Sequence, residues 1–160
     1  MIGSTSPSTE RTLGHLLAPY LADPDNAFVI SSDFAHWGTR FRYTYYEPSP
    51  GSSGTSLRSS SKTPQSPAIH ESIKAVDFAS MGACESGSHE AWLVELERTG
   101  NTVCGRHPIG VVVAGLEEVR KQGGEGGGQG LFKFVRYERS SEVERVSESS
   151  VSYASAFAVL

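Results

Sequence analysis

The chain has 160 residues, 38% of them hydrophobic, and its 14 basic and 18 acidic side chains leave a net charge of −4. That is the size of one domain with one core, and the charge excludes the strongly basic balance that nucleic acid or an anionic membrane surface would select. No apolar run approaches the ~20 residues of a membrane span, and the opening MIGSTSPSTERT lacks the basic start and apolar middle of a signal peptide, so a soluble cytoplasmic protein without membrane insertion is expected, with the nucleus as the alternative.

Ser6 and Pro7 read as a helix start, after which Leu13, Leu16, Leu17, Tyr20 and Leu21 recur at helical spacing; Pro19 is expected to kink or shorten that helix. ADPDN, residues 22–26, is a turn, and Ala27 to Ile30 form a short apolar run with β-branched residues that reads as an interior strand. From Pro48 to Pro67, sixteen of twenty residues are Ser, Pro, Gly or Thr, so this segment is expected to be a disordered insertion. Two helices follow, one carrying Ile69, Ile73, Val76, Asp77 and Ala79, the other capped by Ser88 and carrying Ala91, Trp92, Leu96 and Glu97. In GNTVCGRHPIG, residues 100–110, a loop leads to Pro108 in the first turn of a third helix, whose Ile109, Val112, Val113, Leu116 and Val119 face inward and which Gly123 ends. Residues 123–130 hold six glycines in eight and read as a flexible connector; no strand precedes them and no Lys-Ser/Thr follows, as a phosphate loop would need. Leu131 to Tyr137 and Val151 to Leu160 read as strands, the last as a covered central one. Strands alternating with helices predict an α/β fold.

Two cysteines are too few for a disulfide framework, so each is weighed as a thiol. Asp33 and His36 stand just beyond the Ala27–Ile30 run, and in open α/β sheets ligand sites gather outside the carboxyl ends of strands. With Cys104 they offer a carboxylate, an imidazole and a thiol, which suit copper(I) or zinc through sulfur and iron(II) through oxygen and nitrogen. Cys104 lies between the loop glycines, ahead of a helix amino end and two residues before Arg106, a setting that suits a reactive or ligating thiolate. A plainer reading also fits: Asp33 caps a turn, His36 and Trp37 pack the loop, and Cys104 is one more small buried residue. Arg40 and Arg42, interleaved with Phe41, Tyr43, Tyr45 and Tyr46, suit an anion such as phosphate or are solvated strand charges. Arg106 and His107 are expected to brace the Cys104 loop, with His107 an alternative ligand, while His15, His70 and His89 are incidental. Cys84 has no basic neighbour in sequence and is expected to be structural.

SSDFAHWGTRFRYTYY from Ser31, NTVCGRHPIG from Asn101 and SSVSYA from Ser149 look like three signature blocks of the Memo proteins, and the likeness extends from about Leu13 to Leu160. That family is known for mediating receptor-driven cell motility, and its fold is similar to class III extradiol dioxygenases, which are non-haem iron enzymes. The resemblance implies a mixed sheet flanked by helices, with Cys104 in a central pocket lined by Asp33 and His36, and with Arg42 associated with phosphotyrosine-peptide binding. It also implies two further pocket histidines from an amino-terminal half, one in an APHAGY-like block that this chain lacks. The chain therefore resembles the carboxyl half alone, a single incomplete domain open to self-association through exposed strand edges. Three functions follow from the resemblance: a copper- or iron-binding signalling protein related to cell motility and cytoskeleton control; a metal-free module in which Arg42 and Cys104 hold a phosphotyrosine peptide or receptor tail; and a dioxygenase-like or hydrolytic enzyme with His36 as base, Asp33 orienting it and Cys104 as nucleophile.

Overall fold

Ser6 accepts a hydrogen bond from the Thr9 amide at 3.2 Å and Pro7 fills the first helical position, which starts α1, Pro7–Leu21. The computed structural model describes residues 3–123 and 130–160. α1 runs through Pro19 to Leu21, so of the expected kink or shortening the shortening does not occur: the proline lacks only the amide that would donate to the His15 carbonyl, and both residues lie on the exposed face. α2, Ile69–Glu85, and α3, His89–Thr99, form as expected, α3 with Ser88 accepting the Ala91 amide at 3.2 Å and Gly100 closing it at φ 62°. α4, Arg106–Gly123, begins two residues before the expected proline.

The strands are β1, His36–Trp37; β2, Tyr45–Tyr46; β3, Thr55–Ser56; β4, Lys133–Arg139; and β5, Ser150–Phe157. One sheet has the order β1-β5-β4 and β2 pairs with β3. The class is thus α/β, with four helices and antiparallel pairing throughout the described residues. β5 is central, but Tyr153 and Phe157 are exposed, so it is not covered on both faces.

Two expectations need correction. Ala27–Ile30 joins no strand, and Val29 is 96% exposed, because a strand needs a paired neighbour and none of the described residues supplies one here. The Ser/Pro-rich segment, expected to be disordered, is tied to the body: β3 lies within it, Leu57 packs beside Ile69 and Trp37, and Tyr46 donates to the Pro67 carbonyl at 2.9 Å. Of the glycine connector, residues 124–129 lie outside the described residues.

The main core gathers Phe34, Cys84, Trp92, Leu96, Ile109 and Val113 between the helices and the sheet. α1 closes on α4 through small residues: a methyl group on Gly14 would stand 2.7 Å from the Gly115 nitrogen, so the two backbones approach where neither carries a side chain. Buried Asp77 of α2 joins three other parts of the chain. It accepts from the Ala35 amide at 3.1 Å, Asn101 Nδ2 at 3.0 Å and the Tyr137 hydroxyl at 2.9 Å. No helix among the described residues is long and apolar enough to cross a membrane.

Candidate functional site

Asn101 fixes the start of the Cys104 loop, because its side-chain amide also reaches Ser80 Oγ at 3.0 Å from within the core. From there the loop runs beside residues 32–36. Thr102 Oγ1 accepts the His36 amide at 2.8 Å, the Cys104 amide donates to the Asp33 carbonyl at 3.1 Å, and the Gly105 amide donates to Ser32 Oγ at 2.9 Å. At Gly105 a Cβ would sit 2.5 Å from that of Ser32, so glycine permits the close approach.

These contacts bring Asp33, His36 and Cys104 together. The Asp33 amide donates to Cys104 Sγ at 3.1 Å, and the sulfur is exposed, which removes the reading of Cys104 as a small core residue. His36 Nδ1 lies 3.0 Å from the Phe34 carbonyl and 3.2 Å from that of Thr102. Two acceptors there require a proton on Nδ1, so in the neutral imidazole the lone pair is on Nε2. Nε2 is 3.7 Å from Asp33 Oδ2, beyond a hydrogen bond, so the backbone carbonyls orient the imidazole and the expected Asp33-to-His36 bond is not formed.

Arg42 is exposed, sits in the left-handed region at φ 58°, and makes no hydrogen bond or ion pair with the other three. Its neighbour Arg40 lies over the Phe41 ring at 4.4 Å, and Phe41 in turn meets the His36 ring edge-on at 5.3 Å. Cys84 is buried in the main core as expected, and burial pushes its thiol up to about 12.

One cluster escaped the sequence reading. Buried Glu10 on α1 receives His89 Nε2 at 2.7 Å on one carboxylate oxygen and His107 Nδ1 at 2.6 Å on the other, where Thr5 also donates at 3.1 Å. His89 is therefore a buried partner and not incidental, and His107 binds α1 instead of bracing the Cys104 loop. The signal available in sequence was spacing: Glu10, Gly14, Ala18 and Leu21 fall on one helix face, which is the buried one.

Among the described residues no group of three or more His, Cys, Asp or Glu side chains converges closely enough to hold a metal ion. Asp33, His36 and Cys104 fit a metal only in part: one free imidazole nitrogen, one carboxylate and one exposed sulfur line the same corner without closing on a common point.

A family model described as Memo-like protein matches residues 1–157. Protein MEMO1 of Danio rerio is 41% identical over 154 residues, covering 96% of this chain and 45% of the relative. Protein MEMO1 of Homo sapiens is 39% identical with the same coverage, and the MEMO1 family protein MHO1 of Saccharomyces cerevisiae is 34% identical over 174 residues, 100% of this chain and 51% of its own length. The chain spans about half the length of the curated relatives it matches.

Proposed function

The chain belongs to the family of Memo-like proteins, and from that premise we propose that it is a metal-binding signalling protein, related to cell motility and cytoskeleton control, in which Cys104, His36 and Asp33 supply part of a copper or iron site. The observation that supports this most directly is the state of His36. Its Nδ1 lies against two backbone carbonyls, the contact by which a metal-ligating histidine is commonly oriented, and its Nε2 faces the Asp33 carboxylate, whose own amide donates to Cys104 Sγ. Thiolate and imidazole together favour copper(I), while imidazole and carboxylate favour iron(II).

Because the three donors do not close a complete ligand set, the remaining positions fall to water or to groups beyond the described residues, and affinity for this chain alone is weak. Titration of copper(I) or iron(II) against a competing chromophoric chelator is the test. The wild-type chain should bind one equivalent, and Cys104→Ser and His36→Ala should each weaken binding by about tenfold or more, in line with the loss of one ligand. Absence of stoichiometric binding in the wild type, or binding unchanged in both variants, would sink the proposal.

A further inference from the structure

Between Gly38 and Pro64 the chain carries four exposed cations, Arg40, Arg42, Arg58 and Lys62, and none of them makes an ion pair among the described residues. The one acid of that stretch, Glu47, is buried and paired with Arg98. Glu148, whose carbonyl lies against Gly38, turns its carboxylate to the amides of Glu144 and Arg145 at 2.8 and 3.0 Å.

Strand register brings two of these cations together. β3 pairs antiparallel with β2, Tyr45 opposite Ser56, and the pairing continues one step further: the Leu57 amide donates to the Thr44 carbonyl at 2.9 Å and Thr44 Oγ1 donates to the Leu57 carbonyl at 2.7 Å. The same register sets Arg58 opposite Tyr43, beside Arg42. There the chain turns, with the Ser61 amide donating to the Arg58 carbonyl at 2.7 Å and the Arg58 amide donating to Ser61 Oγ at 2.9 Å. At the tip of that turn Ser59 and Ser60 are exposed, and neither their hydroxyls nor their amides make a hydrogen bond among the described residues. Other hydroxyls of the segment are engaged: Ser61 Oγ by the Arg58 amide, Ser52 Oγ by the Ser49 carbonyl at 2.6 Å, and Thr55 and Ser56 lie in β3. Of these hydroxyls Ser60 alone has a cation two residues to each side, Arg58 and Lys62, a pattern that an acidic substrate groove selects by charge.

We propose that Ser60 is a phosphorylation site whose phosphate is held by Arg42 and Arg58, adding a tie between the Ser/Pro-rich segment and the turn that carries Arg42. A nucleoside triphosphate supplies the γ-phosphoryl group to a protein kinase: Ser60 Oγ forms the new P–O bond, the bridging P–O bond to the β-phosphate breaks, the nucleoside diphosphate leaves, and the hydroxyl proton passes to the kinase's base. The phosphate brings close to two negative charges and three acceptor oxygens, which guanidinium groups bind bidentately. This inference is independent of metal binding at Cys104.

Incubation of the intact chain with ATP and a kinase selective for basic flanking residues should add one phosphate, mapped to Ser60 by mass spectrometry and lost in Ser60→Ala. Phosphorus NMR then reads the contact with Arg42. Nearby cations favour the dianion, so the second ionisation of the phosphate, ordinarily at about pH 6, should have its midpoint lowered by about 0.5 pH or more relative to a peptide of residues 54–66 phosphorylated at the same serine, which keeps Arg58 and Lys62 but lacks Arg42. Arg42→Gln, with phosphoserine installed at position 60 during translation, should return the midpoint to that of the peptide. The proposal is overturned if the kinase leaves Ser60 unmodified, if phosphorylated chain and peptide titrate alike, or if Arg42→Gln leaves the lowered midpoint in place.

Discussion

Two thiols with the same chemistry have opposite surroundings. Cys84 is 2% exposed among Phe34, Met81 and Trp92, with its thiol pushed up to about 12 by burial, whereas Cys104 stands at the surface on a loop held by Asp33 and Ser32. Thiolate is the reactive form and it must be reached by reagent, so a disulfide reagent at neutral pH should label one thiol rapidly in the native protein and the second only after unfolding. Cys104→Ser should abolish the fast phase and leave the slow one; two fast equivalents in the native wild type would contradict the burial of Cys84. Part of this contrast was readable from local sequence, because an arginine stands two residues after Cys104 and no basic side chain stands beside Cys84. Glu10 was not, because its partners His89 and His107 are 79 and 97 positions away and only the packing of α1 against α3 and α4 brings them to it.

Helices were legible where their signals are local, as at the Ser6 and Ser88 caps and the apolar spacing of α2 and α4, and the strand expected at Ala27–Ile30 failed because pairing is a property of neighbours that periodicity does not contain. Within the helices, glycine has two different meanings. At Gly14 an added methyl meets the backbone of Gly115 at 2.7 Å, while at exposed Gly82 in α2 nothing lies within 4 Å. Gly14→Ala should therefore destabilise the protein by about 1–3 kcal/mol through forced separation of α1 and α4. Gly82→Ala should stabilise it by about 0.5–1 kcal/mol, since alanine loses less backbone freedom on folding. Urea denaturation of both variants checks this, and equal effects at the two sites would mean that helix propensity, not the α1–α4 contact, governs Gly14.

At the scale of the whole molecule, the α/β class followed from the alternation of apolar patterns, but the convergence of four regions on Asp77 did not, since an aspartate in a helical pattern gives no hint that Ala35, Asn101 and Tyr137 meet it. Two effects compete on that carboxyl: burial disfavours its charge, and hydrogen bonding by Ser152, Asn101, Tyr137 and the Ala35 amide favours it. Burial is the larger, and it holds the Asp77 carboxyl above its ordinary value. The unfolded chain then ionises Asp77 at lower pH than the native one, so over the window from the ordinary carboxylate range up to the native value the native state binds more protons and stability falls as pH rises. Carboxylates held low, such as Glu117, push the other way in the same region, so the wild-type curve alone does not isolate Asp77. The difference between wild type and Asp77→Asn does, because the asparagine does not titrate: the stability advantage of wild type over the variant should be greatest below the carboxylate range and should shrink as pH rises through it. Denaturation curves across that range supply the measurement. An advantage that grows with pH would mean that the donors from Ala35, Asn101 and Tyr137 outweigh burial, and that the junction of α2, β4 and the Cys104 loop is built around an ionised carboxylate.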